Sequence, residues 1–195
     1  MGKRILIVLG HPDPAPERYV RALEAAYTSG AQEAGHELRR IDVTTLDFPL
    51  LRSAADWKDG RVPPALEEAQ RSIVWAEHLV FFFPLWLGEM PALLKGFLEQ
   101  VARPGFAFDY GKDSPAWHKK LTGRSARVVV TMGMPAIVYR FFYRAHSMKA
   151  HERNILGFVG IGPIEETLIG QVDRLDTAAA GKWFAKMREL GRAAA

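Results

Sequence analysis

Three short segments of the chain combine glycine, proline and bulky apolar residues in a pattern that suits a large flat ligand. They read Gly10-His11-Pro12-Asp13, Pro84-Leu85-Trp86-Leu87-Gly88-Glu89-Met90-Pro91 and Thr131-Met132-Gly133-Met134-Pro135. Each offers backbone N–H groups and few of the carboxylates that hold hard cations. Such loops favour stacking and main-chain hydrogen bonding over hydrolysis. Other chemistries drop out by residue type. The chain has no cysteine, which removes thiol nucleophiles, disulfides, zinc ribbons and cysteine-held iron–sulfur clusters. It has no GxxxxGK[ST], GxSxG or HExxH run. His146 and His151 are spaced so that one helix would not present both on the same face, so no metal site is expected from them.

The elements around these segments must place them together. Arg4–Leu9 is a continuous apolar run of the kind buried on both faces in a parallel sheet. Glu17–Ala34 carries Val20, Leu23, Ala26 and Tyr27 on one helical face, with Gly35 positioned to end it. Glu37–Asp42 reads as a second strand, Val43–Pro63 as a long excursion, Pro64–Ala76 as a helix and His78–Phe83 as a third strand. Pro91–Ala102 is a helix opened by proline, and Arg103–Gly123 is an aromatic-rich loop. Ser125–Met132 supplies a fourth strand and Ala136–Ala150 a helix. Ile155–Val159 reads as the fifth strand, with Thr167–Ile169 as its candidate extension, and Thr177–Gly191 as the closing helix. This alternation predicts an α/β protein, a parallel sheet between helix layers in a single domain over 1–195. In such sheets ligands bind beyond the carboxyl ends of the strands, where the three segments fall.

Composition agrees: 195 residues, 48% hydrophobic and 25% charged, are ordinary values for a folded chain. The longest apolar run is about half of the ~20 residues a membrane helix needs, and the start of the chain does not read as a signal peptide. A cytoplasmic protein without membrane insertion is expected. The net charge of +4 is uneven, with nine Lys or Arg against two acids between Gly111 and Arg153. This excess would either steer an anionic ligand or form a solvated face. No nucleic-acid-binding motif accompanies it, so no nucleic-acid partner is expected.

The block Phe81–Val101, FFFPLWLGEMPALLKGFLEQV, resembles the flavodoxin-like NAD(P)H:quinone oxidoreductases, the family of DT-diaphorase and its shorter bacterial relatives. The residues that carry the resemblance are Pro84, Leu85, Trp86, Pro91, Ala92, Leu94, Lys95 and Gly96. Gly10-His11-Pro12, Gly105-Phe106-Ala107-Phe108 and Thr131-x-Gly133 are similar in order and spacing. The resemblance implies a flavodoxin-like three-layer sandwich with five parallel strands in the order 2-1-3-4-5. It also implies a homodimeric flavoprotein, with FMN or FAD as cofactor, NAD(P)H as electron donor and a quinone-like acceptor. On that reading His11 and the start of the first helix meet the flavin phosphate, and Leu85, Trp86, Leu87 and Gly88, following Pro84, lie along the ring. Thr131, Met132 and Gly133 hold its pyrimidine edge. Tyr139 falls where the family often has a tyrosine near the flavin, and His146 is one position beyond the expected catalytic histidine.

Two departures accompany the resemblance. Pro16-Glu17-Arg18 stands where the family commonly has a serine followed by a Phe-Asn or similar pair, so Arg18 becomes the available cation and Glu17 an opposing charge. Trp86 remains alone where an aromatic pair is frequent. Some similar proteins are ancillary subunits of ion-efflux systems, which makes a non-enzymatic accessory subunit the alternative expectation. Arg140 and Arg144, four apart in sequence, would share a helix face suited to a 2′-phosphate.

Overall fold

The computed structural model of the protein describes residues 2–110 and 117–195. The elements run β1 (Arg4–Leu9), α1 (Tyr19–Glu33), β2 (Glu37–Asp42), α2 (Ala54–Asp59), α3 (Pro64–Trp75), β3 (His78–Pro84) and α4 (Ala92–Val101). They continue with β4 (Phe108–Tyr110), β5 (Trp117–Lys119), β6 (Ser125–Thr131), α5 (Ala136–Phe141), α6 (His146–Ala150), α7 (Gly157–Val159), β7 (Ile164–Ile169) and α8 (Thr177–Ala193). The main sheet is ordered β2-β1-β3-β6-β7 and every pairing in it is parallel. Ranked along the chain, that is the expected 2-1-3-4-5 order.

Alternation along the central strands divides the core in two. Leu6, Val8, Phe81, Phe83, Val128 and Val130 pack into one cluster with residues of α3 and α4. Ile5, Ile7, Leu9, Val80, Phe82 and Val129 pack into the other with residues of α1 and α8. Both faces of the central strands are covered, which is why they read as unbroken apolar runs. Helices α1 and α8 lie very close. A Cβ on Gly30 would fall 2.0 Å from the Arg188 carbonyl oxygen, and one on Gly191 2.1 Å from that of Tyr27.

Four expectations need correction. Ile155–Val159 is helical, and the fifth strand is Ile164–Ile169 alone. The apolar run misled because a buried helical turn and a buried strand share that composition; Gly160, at φ 103, ends the turn as a left-handed cap. The helix expected over Ala136–Ala150 is broken, since Arg144 and Ala145 adopt φ values of 55 and 47 between α5 and α6. Arg103–Gly123 contains the antiparallel β4–β5 pair rather than only loop. The excursion Val43–Pro63 holds α2, whose Ser53 side chain accepts from the Asp56 N–H.

Two of the three buried histidines, His78 and His151, lie outside the strand-end loops. His151, in a π-helical segment spanning His151–Leu156, is 0% exposed and lies against Phe81 and Phe83, at ring-centroid distances of 5.3 and 5.7 Å. His78 is 3% exposed, with Nδ1 2.8 Å from the Ser125 hydroxyl. Burial drives both down from 6.5 to about 4. The unfolded chain therefore binds protons near pH 6.5 that the folded chain refuses until about pH 4. Stability is full above that window and falls as pH drops through it, by on the order of 1 kcal/mol per pH unit for each histidine. Urea midpoints across the window are expected to follow this slope, and His151→Phe should remove one proton's share of it. An unchanged slope in the variant would place its titration elsewhere.

Candidate functional site

The parallel register makes three strands end on one edge. Leu9 pairs with Phe82, Phe82 with Val129, and Pro84 with Thr131, and the Gly10 N–H continues the ladder to the Phe82 carbonyl at 2.8 Å. Beyond that edge lies a cleft of about 480 Å³, within the usual range for a small-molecule site. His11, Glu17, Arg18, Pro84, Leu85, Trp86, Thr131, Met132 and Gly133 border it, so the three segments converge. Tyr19, Val20, Val172 and Asp173 complete the lining. The last two follow β7, the strand that sequence periodicity misplaces, and no motif marks them.

One wall is the start of α1. Pro16 and Glu17 form a turn, so the helix begins at Tyr19 instead of Glu17. Arg18 is its N-cap, contributes no side-chain hydrogen bond, and no acid lies in the first turn. The first N–H groups are therefore left for another acceptor, and the helix dipole favours an anion there. Arg18 is already engaged with the Asp13 carboxylate. Asp13 also accepts from the Ala15 N–H at 2.9 Å; that bond, joined by Arg18, holds its carboxyl below the usual range. His11 is 8% exposed, and its Nδ1 accepts from the Asp13 N–H at 3.0 Å. Burial, the largest influence, lowers its pKa, so the neutral ring carries its proton on Nε2. The ring stands edge-on to Trp86 at 5.8 Å.

The second wall is a tight turn after β3. Trp86 and Glu89 exchange both backbone hydrogen bonds, at 2.9 and 3.0 Å. Leu87 and Gly88 between them have φ values of 50 and 81, the double positive φ of a two-residue hairpin turn. The Leu85 N–H is committed to the Thr131 carbonyl at 2.8 Å and the Trp86 N–H to Glu89. Of the N–H groups expected along a flat ligand, Leu87 and Gly88 therefore remain. On the third wall Met132 donates to the Ile169 carbonyl at 2.9 Å and accepts from the Val172 N–H at 3.2 Å. The Gly133 N–H has no acceptor among the described residues. Uncommitted donors thus stand on the first and third walls, at the start of α1 and at Gly133, whereas Leu87 and Gly88 lie on the turn beside Trp86 and do not border the cleft. The set on those two walls fits an acceptor-rich ring carrying a phosphate.

The sequence profile of a family described as the flavodoxin-like fold matches residues 3–190. The chain belongs to this family. It is 28% identical over 155 residues to a ribosyldihydronicotinamide dehydrogenase-like protein of Penicillium crustosum, covering 67% of this chain and 57% of that protein. It is 25% identical over 178 residues to an NAD(P)H oxidoreductase of Haemophilus influenzae, covering 89% and 87%. The fold matches that of an NAD(P)H:quinone oxidoreductase from Methanothermobacter marburgensis with a TM-score of 0.82, at 23% identity over 98% of this chain and 96% of that one. The chain spans about half the length of several curated relatives that it matches, 57% of the Penicillium protein and 46% of a rat NAD(P)H dehydrogenase [quinone].

Within this flavodoxin-like frame other expected residues lie apart. Tyr139 and His146 do not border the cleft. Tyr139 is 2% exposed, and its hydroxyl accepts from the Met148 N–H at 3.3 Å, tying α5 to α6; burial raises its pKa. His146 is exposed at the start of α6. Arg140 pairs with Glu166 on β7, and the break at Arg144 removes the shared helix face expected for a 2′-phosphate. None of the described cations between Gly111 and Arg153 borders the cleft. Arg127 and Lys120 are likewise paired, with Glu165 and Asp109, so the basic stretch is partly neutralised rather than aimed at the ligand; Lys112 lies outside the described residues.

Leu87 carries a prediction. Its side chain is fully exposed, while a left-handed backbone disfavours most residues with a Cβ, tolerating asparagine through its local hydrogen bonds and favouring glycine. Leu87→Asn is expected to raise stability by about 1 kcal/mol, read as a higher melting temperature. A lower one would mean that the leucine side chain supports the turn in a way its exposure conceals.

Proposed function

We propose that the protein is a cytoplasmic, flavin-dependent NAD(P)H oxidoreductase that passes two electrons to a quinone or similar acceptor. The observation that carries this reading is the pair of uncommitted donor sets on two walls of one cleft, the uncapped start of α1 and the Gly133 N–H, with the free N–H groups of Leu87 and Gly88 on the adjoining turn. A bound flavin would supply the redox chemistry, accepting electrons from the nicotinamide and yielding them to the acceptor. The chain's task is to bind, orient and stabilise charge. Leu87 and Gly88 offer fixed N–H donors to the ring edge that gains electron density on reduction, where preorganised dipoles act most strongly. Thr131, Met132 and Gly133 serve the pyrimidine edge. His11 and the first turn of α1 serve the phosphate, with Arg18 available once it leaves Asp13. Pro84, Leu85 and Trp86 form the apolar floor. The family resemblance proposes His146 for proton management, but it stands exposed at the start of α6 and outside this cleft; Tyr139 sets its helix through the Met148 bond.

The same reading includes a homodimer. Ile137, Phe141 and Phe142 are 67, 71 and 77% exposed on or beside α5, a concentration of apolar surface that suits burial against a second copy. Sedimentation should give a dimer, and Phe141→Glu combined with Phe142→Glu should give a folded monomer. A wild-type monomer at micromolar concentration would remove this part of the reading.

Titration of the purified protein with FMN and with FAD, followed by visible absorbance, tests the cofactor assignment directly. Saturable binding of one flavin in the micromolar range, with NADH or NADPH oxidation on adding a benzoquinone, is the expected result. The carboxylates of Glu17 and Asp173 at the cleft favour the accessory-subunit alternative, because they oppose an anionic ligand. Absence of binding by both flavins would support it.

A further inference from the structure

Beneath the first cleft loop lies a buried ion pair that the proposed chemistry does not use directly. Arg21 Nη1 donates to Asp42 Oδ2 at 2.7 Å, with side chains only 13 and 7% exposed. Asp42, the last residue of β2, also accepts from the Thr44 N–H at 3.2 Å and the Thr44 hydroxyl at 2.7 Å. Arg40 adds a longer contact at 3.4 Å. Burial alone would push the Asp42 carboxyl up; the hydrogen bonds from Arg21 and Thr44 outweigh it and hold the group below its ordinary value. Arg21 is thus anchored as a cation between α1 and β2.

Its other arm reaches the cleft loop. Arg21 Nη2 donates to the Asp13 carbonyl oxygen at 3.2 Å, while the N–H of the same residue donates to His11 Nδ1 at 3.0 Å. Asp13 sits between Pro12 and Pro14. Neither proline offers an N–H, and the residue before a proline has restricted backbone freedom. One residue therefore links Arg21 to the imidazole, its carbonyl held by the guanidinium and its N–H spent on Nδ1.

We propose that Arg21, anchored by Asp42, is a positioning residue that fixes His11 in the Nε2–H tautomer, so that the cleft is offered a donor rather than a lone pair. The inference rests on the proposed binding of a flavin phosphate insofar as it explains why a donor is needed. Phosphate oxygens only accept, and the opposite tautomer would turn an unprotonated nitrogen towards them. Without the guanidinium on its carbonyl, Asp13 loses one of the contacts that keep its N–H on Nδ1, so the opposite tautomer gains population.

The tautomer is measurable without cofactor, by nitrogen-15 NMR of the His11 ring in the flavin-free protein at neutral pH. Wild type should show Nδ1 unprotonated and Nε2 protonated. Arg21→Met and Asp42→Asn should both move the two nitrogens towards averaged shifts, and Arg39→Met, which breaks a remote pair with Glu68, should not. Flavin affinity should fall about fivefold in Arg21→Met, the size of one positioned hydrogen bond. A wild-type Nδ1 that carries the proton overturns the proposal, as does a folded Arg21→Met with an unchanged ring spectrum. If Arg21→Met does not fold, the wild-type spectrum and Asp42→Asn decide it. A wild-type protein with the expected tautomer but no flavin binding would defeat the functional reading and leave the positioning role standing.

Discussion

Parallel strands in one register must finish together, and the groups that continue past the last rung determine what the edge can bind. β1, β3 and β6 end side by side, and the chain itself satisfies many of the backbone groups in the loops beyond them. Gly10 donates to Phe82, Leu85 to Thr131 and Met132 to Ile169. Each of these bonds locks a loop to its neighbouring strand, so the donors left over are held rigidly by bonds one or two residues away. Such donors need no reorganisation when a ligand arrives, and this is the property that makes a backbone site effective. Side chains then select charge. The uncapped start of α1 attracts an anion, while Asp13, Glu17 and Asp173 limit where one can settle.

The central architecture was legible because burial on both sheet faces leaves unbroken apolar runs at Arg4–Leu9, His78–Phe83 and Ser125–Met132. The loops after those runs were legible for the same reason, since once the strands were located the binding edge followed from topology. The edge strand β7 was not. Its sequence, IEETLI, is half polar and yielded to the more apolar helical turn just before it. Misplacing that strand concealed Val172 and Asp173, which enter the cleft through the turn after it. Arg21 has no sequence signal, because its partners come from β2 and the first loop and nothing local to its helix announces them. The expectation that Leu85 and Trp86 would present free N–H groups failed for a different reason. Hydrogen bonds between loops depend on which strand lies adjacent, and spacing along one segment does not record that.

Charge placement obeys a similar logic. Two of the cations between Gly111 and Arg153 have their acids later in the chain, on β7, and Lys120 has its acid earlier, at Asp109. Folding brings Glu165 to Arg127 and Glu166 to Arg140. Part of the local excess in sequence therefore becomes, in space, pairing of β6 and α5 with β7. The cleft depends on fewer and more buried charges. Asp42 and Arg21 form an enclosed ion pair near the site, and a pair of that kind serves the geometry it enforces more than net stability.

Two departures from regular backbone geometry flank the cleft. Leu87 and Gln171, both left-handed without being glycine, each stand next to a residue that borders the cleft. Arg144 and Ala145 interrupt the helix after the third loop, and the π-helical turn containing His151 comes directly after α6. A chain free to optimise stability would place glycine or asparagine at such positions and pair the His151 nitrogens. Ala194, the left-handed cap of α8, lies at the other end of the sheet, where Lys3 reaches its carbonyl, so only Leu87 and Gln171 among the left-handed residues flank the cleft. Strained backbone survives only where surrounding structure holds it. Here the holding elements are the bonds that tie each loop to the adjacent strand, and those bonds also leave Leu87, Gly88 and Gly133 with N–H groups to offer.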